Sequence, residues 1–231
     1  MIDDKLTWSR PEKLSGALAT GTTPYETCPG SLVRDPRDVC YTCYAATGRG
    51  RTACVRDVLA RNTALLREAA AEGVDAVVDL YRRSMPVRVP KVPYVRLHWS
   101  GDVENAVLMR GVYGFAEAYP DLRFLLFTRD WHLDWARQFF RSVKVPENLA
   151  VRPSALRVAE APPEVCGMHG GTSVYPEEMM PEDMYVCPGN CGRCGWRCWD
   201  RSQESVAFHW HGDVIGRKTK YRQTLRCLGM E

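Results

Sequence analysis

Seven of the ten cysteines in this chain sit in two tight groups, so its fold must bring those sulfurs close and something must hold them apart. The first group is Cys28, Cys40 and Cys43, in the runs Cys28-Pro29-Gly30 and Cys40-Tyr41-Thr42-Cys43-Tyr44-Ala45. The second is Cys187, Cys191, Cys194 and Cys198, in Cys187-Pro188-Gly189-Asn190-Cys191-Gly192-Arg193-Cys194-Gly195-Trp196-Arg197-Cys198. The opening Met1-Ile2-Asp3-Asp4-Lys5-Leu6 has no basic patch followed by an apolar run, so no export signal is evident. No apolar stretch is long enough to cross a bilayer, so no membrane partner is expected, and the expected setting is cytoplasm. In a reducing compartment, sulfurs at this density are held by metal and not joined as disulfides. Two metal centres are therefore expected, one near each end of the chain.

The 231 residues suit one compact unit: an α/β core over 1–160 carrying the first cysteine loop, with a cysteine-rich segment over 161–231 packed on it. A hydrophobic content of 45% is enough for a real core. A net charge of +3 does not by itself mark a nucleic-acid binder. Only six of the 31 basic residues are lysine, a skew that suits phosphate recognition and equally a GC-rich genome. Apolar spacing predicts helices over 52–71 and through Val74, Val77, Val78 and Tyr81. It predicts strands at 94–99, 122–128 and 149–152, with helices over 104–119 and 131–143 between them. Short strands at 172–175 and 205–211 flank the second cysteine group, and residues 1–27 show no clear period. Alternating strands and helices imply parallel pairing. The expected class is α/β, a partial (β/α) barrel with a C-terminal cysteine-rich metal-binding segment.

Parallel sheets bind ligands beyond the carboxyl ends of their strands. Two such ends carry chemistry here, Ser100-Gly101-Asp102 and Thr128-Arg129-Asp130. Three cysteines, then a Ser-Gly-Asp turn, then a Thr-Arg-Asp turn resembles the order in radical S-adenosylmethionine enzymes. The eleven residues between Cys28 and Cys40 make the loop longer than in that group. The resemblance implies that Cys28, Cys40 and Cys43 hold a [4Fe–4S] cluster with one open iron, where the cofactor's methionine amine and carboxylate bind. It further implies that Ser100, Gly101, Asp102, Thr128 and Arg129 bind the cofactor, with Asp102 gripping its amino group. Reductive cleavage then gives a radical that abstracts hydrogen from the substrate.

Over a longer stretch the chain resembles the phage gene-product-eighty-eight family. The resembling pieces are both cysteine groups, Arg61-Asn62, Arg96-Leu97-His98-Trp99-Ser100-Gly101-Asp102, Phe127-Thr128-Arg129 and Phe208-His209-Trp210-His211. This resemblance implies a phage-encoded metalloprotein of the infected host cell and brings no activity with it.

Alternatives stand beside each reading. The first group also suits a structural zinc site completed by Cys54 or a histidine. The second satisfies either an auxiliary iron–sulfur cluster or a zinc knot, shielded by Trp196 and Trp199. His209 and His211 alternate to one face of a strand, either as further metal ligands or as a hydrogen-bonded surface pair. His98 is a catalytic candidate or a structural strand histidine. Asp102 is an exposed acid/base or amine-binding carboxylate, an N-cap for the helix starting near Glu104, or both. Arg129, Arg152 and the tail Arg217-Lys218-Thr219-Lys220-Tyr221-Arg222 are candidates for phosphate contact. The leading expectation is a radical S-adenosylmethionine-like iron–sulfur enzyme that modifies a nucleotide, nucleobase or nucleic acid. The alternatives are a zinc-stapled binding module for nucleic acid or protein, and a zinc-containing base-exchange enzyme using Asp102 with Asp130.

Overall fold

The computed structural model describes residues 4–32, 34–47, 50, 52–86, 92–210 and 218–230, with backbone only for 218–221. Its central element is a four-stranded parallel sheet in which spatial order equals chain order: β1 (Leu18–Ala19), β2 (Tyr94–Leu97), β3 (Arg123–Thr128) and β4 (Leu149–Pro153). Parallel neighbours need a crossover, and helices supply each one. α1 (Ala53–Glu72) and α2 (Val74–Ser84) join β1 to β2, α3 (Ala106–Glu117) joins β2 to β3, and α4 (Asp134–Ser142) joins β3 to β4. Gly73, at a φ of 125°, breaks α1 from α2. Gly111 lets α3 lie against α2, because a Cβ there would come within 2.2 Å of Val77 Cγ1.

The two faces of the sheet follow from the two-residue period of a strand. Register aligns Leu18, Val95, Phe124 and Leu149 in one row, and all four join the core formed with Leu80, Tyr81, Val112, Phe115 and Phe139 of the helices. The adjacent row is Ala19, Arg96, Leu125 and Ala150. Its apolar members pack with Leu14, Cys198, Trp199 and Val206, so the cysteine-rich segment covers the face opposite the helices. A second parallel sheet, in the order β5 (Thr172–Tyr175), β7 (Val206–His209) and β6 (Tyr185–Val186), carries this segment. A single parallel bridge between Ser154 and Thr172 links it to the end of β4. Strand pairing among the described residues does not close these sheets into a barrel.

The elements depart from the sequence expectation at several places, among them the unexpected short strands β1 and β6. The strand predicted at 94–99 ends at Leu97, because His98 takes a left-handed φ of 48°. The helix predicted from 104 begins at Ala106, capped by Asn105 Oδ1, which accepts from the Leu108 N–H at 3.0 Å. Asp102 is therefore not its N-cap. The helix predicted from 131 begins at Asp134, after a 3₁₀ turn at Asp130–His132. Residues 218–222 of the basic tail open a helix that was not expected, α5 (Lys218–Cys227).

Arg152 joins the two halves. It points from β4 into the covered face and is 1% exposed. Its Nε donates to Cys198 O at 2.8 Å, Nη1 to Gly170 O and Glu204 O at 2.8 Å, and Nη2 to Asp200 O at 2.8 Å and Arg197 O at 3.3 Å. All five donors of the fork are spent on carbonyls, which corrects the expectation that Arg152 faces phosphate. Arg152→Met removes the side-chain donor from five carbonyls and is expected to lower unfolding free energy by at least about 3 kcal/mol, read by chemical denaturation. Limited proteolysis should then cut between 187 and 204 before it cuts the helices; unchanged stability and cleavage order would contradict this role.

Candidate functional site

Both cysteine groups face the same cavity. It has a volume of about 390 Å³ and lies on the covered side of the sheet, at the carboxyl ends of β2 and β3. Cys28, Cys40 and Cys43 line it together with Cys187, Cys191, Cys194 and Cys198, and Ser100, Gly101, Asp102, Thr128 and Arg129 line it as well. Trp99, Phe127, Phe208 and Trp210 give it aromatic walls.

The first cysteine loop is pinned by buried polar contacts. Asp38, 1% exposed, caps the turn carrying Cys40 by accepting from Cys40 N at 2.5 Å and from Leu32 N at 2.9 Å. Val39 N donates to Leu156 O at 3.0 Å, and Trp210 Nε1 donates to Thr42 Oγ1 at 3.0 Å. α5 closes over the loop, where the Thr224 hydroxyl donates to Pro36 O and Gln223 accepts from the Tyr41 hydroxyl. The Arg129 guanidinium donates to Cys40 Sγ through Nη1 and to Ala155 O through Nε at 3.2 Å. It is thus engaged at the loop and not turned to a free phosphate. Burial raises the Cys28 thiol well above its usual range, helped by the charges of Asp102 and Cys40. Burial likewise pushes Cys40 up to about 12 against the pull of Arg129.

The second group is fixed to the N-terminal turn and to β7. Cys187 N donates to Ala207 O at 2.8 Å, and Cys191 N donates to Lys13 O at 3.0 Å. Trp196 stacks on Tyr94 with ring centroids 4.2 Å apart, and Trp199 Nε1 donates to Val95 O at 3.1 Å. These tryptophans dock the segment on the sheet. Burial, then the neighbouring Cys194, raises Cys191 to about 11, and burial raises Cys198 to about 12 with Arg152 opposing.

All ten cysteines are free thiols; Cys54, Cys166 and Cys227 are exposed and stand apart from the cavity lining. As the side chains stand, no three His, Cys, Asp or Glu among the described residues form a metal-holding group. The donor chemistry nonetheless fits a metal centre. Buried thiols that repel one another as thiolates, and have no disulfide partner, are stabilised in ionised form by a cation. His209, the other described ligand candidate, lines the cavity with Nδ1 2.7 Å from Glu177 Oε2. His211 lies outside the described residues.

The strand-end residues are more buried than the sequence implies. His98 is 5% exposed, with Nε2 3.1 Å from the Tyr81 hydroxyl and Nδ1 3.5 Å from Thr22 Oγ1. Burial lowers it to about 4, so it is neutral at pH 7. Gly101, at a φ of 76°, admits no side chain, since a Cβ would fall 2.0 Å from Thr22 Oγ1 and 2.3 Å from Thr27 Oγ1. Ser100 Oγ donates to Thr22 O at 2.8 Å, and Thr128 Oγ1 accepts from Asp130 N at 3.0 Å. Asp102 was expected to be exposed; it is 5% exposed. Its Oδ2 accepts from Arg129 N at 2.7 Å and its Oδ1 from Val103 N at 2.8 Å, so two backbone donors fix the carboxylate. Burial raises it to about 6 against those donors. Asp130, 1% exposed, accepts from Gly30 N at 2.8 Å through Oδ1, and its Oδ2 is buried without a hydrogen-bond partner among the described residues. Burial, then the charge of Asp102, raises it to about 9. Burial and mutual repulsion thus disfavour ionising both carboxyls, and the larger rise at Asp130 makes it the preferred holder of the proton.

Sequence reasoning missed Asp38 and Arg96. An Asp two residues before a cysteine is a capping signal for the turn that follows. Arg96 was read only as part of a strand; its place on the cavity side emerges from register.

Residues 4–174 match the family model described as gene product 88. The matched stretch contains the first cysteine loop and both strand-end turns and stops short of the second cysteine group. No curated protein and no solved structure is matched.

The carboxyl pair gives a prediction with a definite sign. Asp130 titrates above its ordinary 3.8, so its contribution to stability is present below about pH 4 and lost as pH rises towards about 9. Asp130→Asn is expected to flatten the stability profile across that window in urea titrations at stepped pH. Asp102→Asn keeps one acceptor for two backbone donors and is expected to cost about 1–3 kcal/mol at pH 7. Equal profiles for wild type and Asp130→Asn would refute the proton assignment.

Proposed function

The chain belongs to the phage gene product 88 family, which brings no activity with it. From the site itself we propose that the protein is an iron–sulfur enzyme of the radical S-adenosylmethionine type. The observation that carries this reading is the shared cavity: two groups of free thiols face one space at the carboxyl ends of parallel strands, with a fixed carboxylate beside it. Cys28, Cys40 and Cys43 are the ligands of the reactive cluster, since three thiolates leave one iron open. Cys187, Cys191, Cys194 and Cys198 hold the auxiliary centre. When bound, the reduced cluster supplies the electron that cleaves S-adenosylmethionine.

The chain's own residues do the rest. Asp102, ionised and aimed by two backbone N–H groups, holds the amino group of the cofactor. The tight turn at Gly101, packed against the Thr22 and Thr27 hydroxyls, fixes the backbone that carries Asp102. Arg129 places a positive charge beside Cys40, which favours an anionic thiolate centre there. The aromatic walls limit water around the reacting atoms. Neutral His98, bonded towards Tyr81, positions the β2 turn and does not exchange protons near pH 7.

A zinc-stapled module is the competing reading, favoured by the way Arg152 and two tryptophans clamp the second group as a structural unit. Protein purified without oxygen separates the two. The proposal expects iron and acid-labile sulfide, and an EPR signal of the reduced protein that changes on adding S-adenosylmethionine. Joint replacement of Cys28, Cys40 and Cys43 by alanine should abolish that response while leaving the iron held by the second group. Zinc without sulfide would sink the enzyme reading and leave the binding module.

A further inference from the structure

Arg96 on β2, Arg129 just past the end of β3 and Arg152 on β4 reach towards the covered side of the sheet, and two of these three guanidiniums are committed. Arg152 spends all five donors on carbonyls, and Arg129 is held by Cys40 and Ala155. Arg96 differs. It lies between Ala19 and Leu125 on the cavity side of the sheet, with its guanidinium carbon 5.0 Å from the centroid of the Phe127 ring. Its hydrogen bond is a long one, Nη2 to the Tyr44 hydroxyl at 3.4 Å, and its Nε is closed off from water with no partner among the described residues.

We propose that the cavity takes a small molecule carrying a planar ring and an anionic group, and that Arg96 receives the anion. A buried donor left unpaired costs about 1–3 kcal/mol, which an incoming acceptor removes. A planar guanidinium fork matches the paired oxygens of a phosphate or carboxylate. Stacking on Phe127 holds that fork in place without using its donors. Trp99, Phe208 and Trp210 offer ring faces to the planar part of the ligand. The cavity is bounded by side chains from both sheets, which suits a small molecule, whereas a continuous nucleic-acid strand needs a groove that tracks its backbone. The inference rests on the cavity being the reaction site, and it narrows the substrate from nucleic acid to a free small anion.

Calorimetric titration of the full chain, purified without oxygen, tests it with two matched pairs: adenosine 5′-monophosphate against adenosine, and orotate against uracil. In at least one pair the anionic member is expected to bind at least about tenfold tighter, and Arg96→Gln is expected to erase the difference. Phe127→Leu should weaken the same member, because the guanidinium loses its support. Metal content and thermal unfolding of each variant control for folding; if Arg96→Gln does not fold, Arg96→Lys, which keeps charge without the fork, should give a partial loss. Equal binding within both pairs, no binding by any of the four, a preference that survives Arg96→Gln, or tighter binding of a single-stranded oligonucleotide would each overturn the proposal. Iron, sulfide and EPR on the same preparations keep the two readings separable. A cluster protein without the anion preference overturns this inference alone, and the preference without iron overturns the enzyme reading.

Discussion

Five backbone carbonyls, from Gly170, Arg197, Cys198, Asp200 and Glu204, converge on the buried guanidinium of Arg152, and the arrangement of the site depends on that convergence. The cysteine-rich segment is short on apolar mass and rich in turns, so hydrophobic burial alone fixes it weakly. A charged fork inside β4 supplies directional contacts instead, five hydrogen bonds to backbone carbonyls of the segment and of the turns beside it. The consequence is geometric. With the segment clamped on the sheet face opposite the helices, Cys187, Cys191, Cys194 and Cys198 look across the cavity at Cys28, Cys40 and Cys43.

Charge is distributed around that cavity in a consistent way. Arg129 stands against the first thiol group, while Arg96 and Arg152 oppose the rise in pKa of the second. On the carboxylate side, two backbone donors hold Asp102 in its ionised form while Asp130 stays neutral beside it. Buried like charges are avoided by protonating one member of the pair. The cavity therefore presents one fixed carboxylate, thiols that need a cation to ionise, and one guanidinium with donors to spare.

Much of the scaffold was legible in the sequence. α1 to α4 and β2 to β5 carry clear apolar periods, and each lies within a few residues of where the spacing puts it. β1 was invisible because two residues, Leu18 and Ala19, are too few to show a period. α5 was hidden in a basic tail whose packing depends on Thr224, a residue with no hydrophobic signature. The cysteines identified the site's donors, but not that the two groups share a cavity, because that follows from strand order and from the bridge between Ser154 and Thr172. Arg152 was misread for a similar reason: its partners are backbone carbonyls, and backbone atoms leave no mark in residue identities. Asp102 was read as exposed because its burial comes from the Thr27 segment and from β3, both distant in sequence.

The central claim is that two metal centres face one another across a single cavity. EPR of the fully reduced protein at low temperature tests it most directly. Two paramagnetic centres lining one small cavity should couple, giving a spectrum that is broader than the sum of the spectra of the two variants that each lack one cysteine group. A spectrum equal to that sum, or a protein with iron in only one group, would contradict the account.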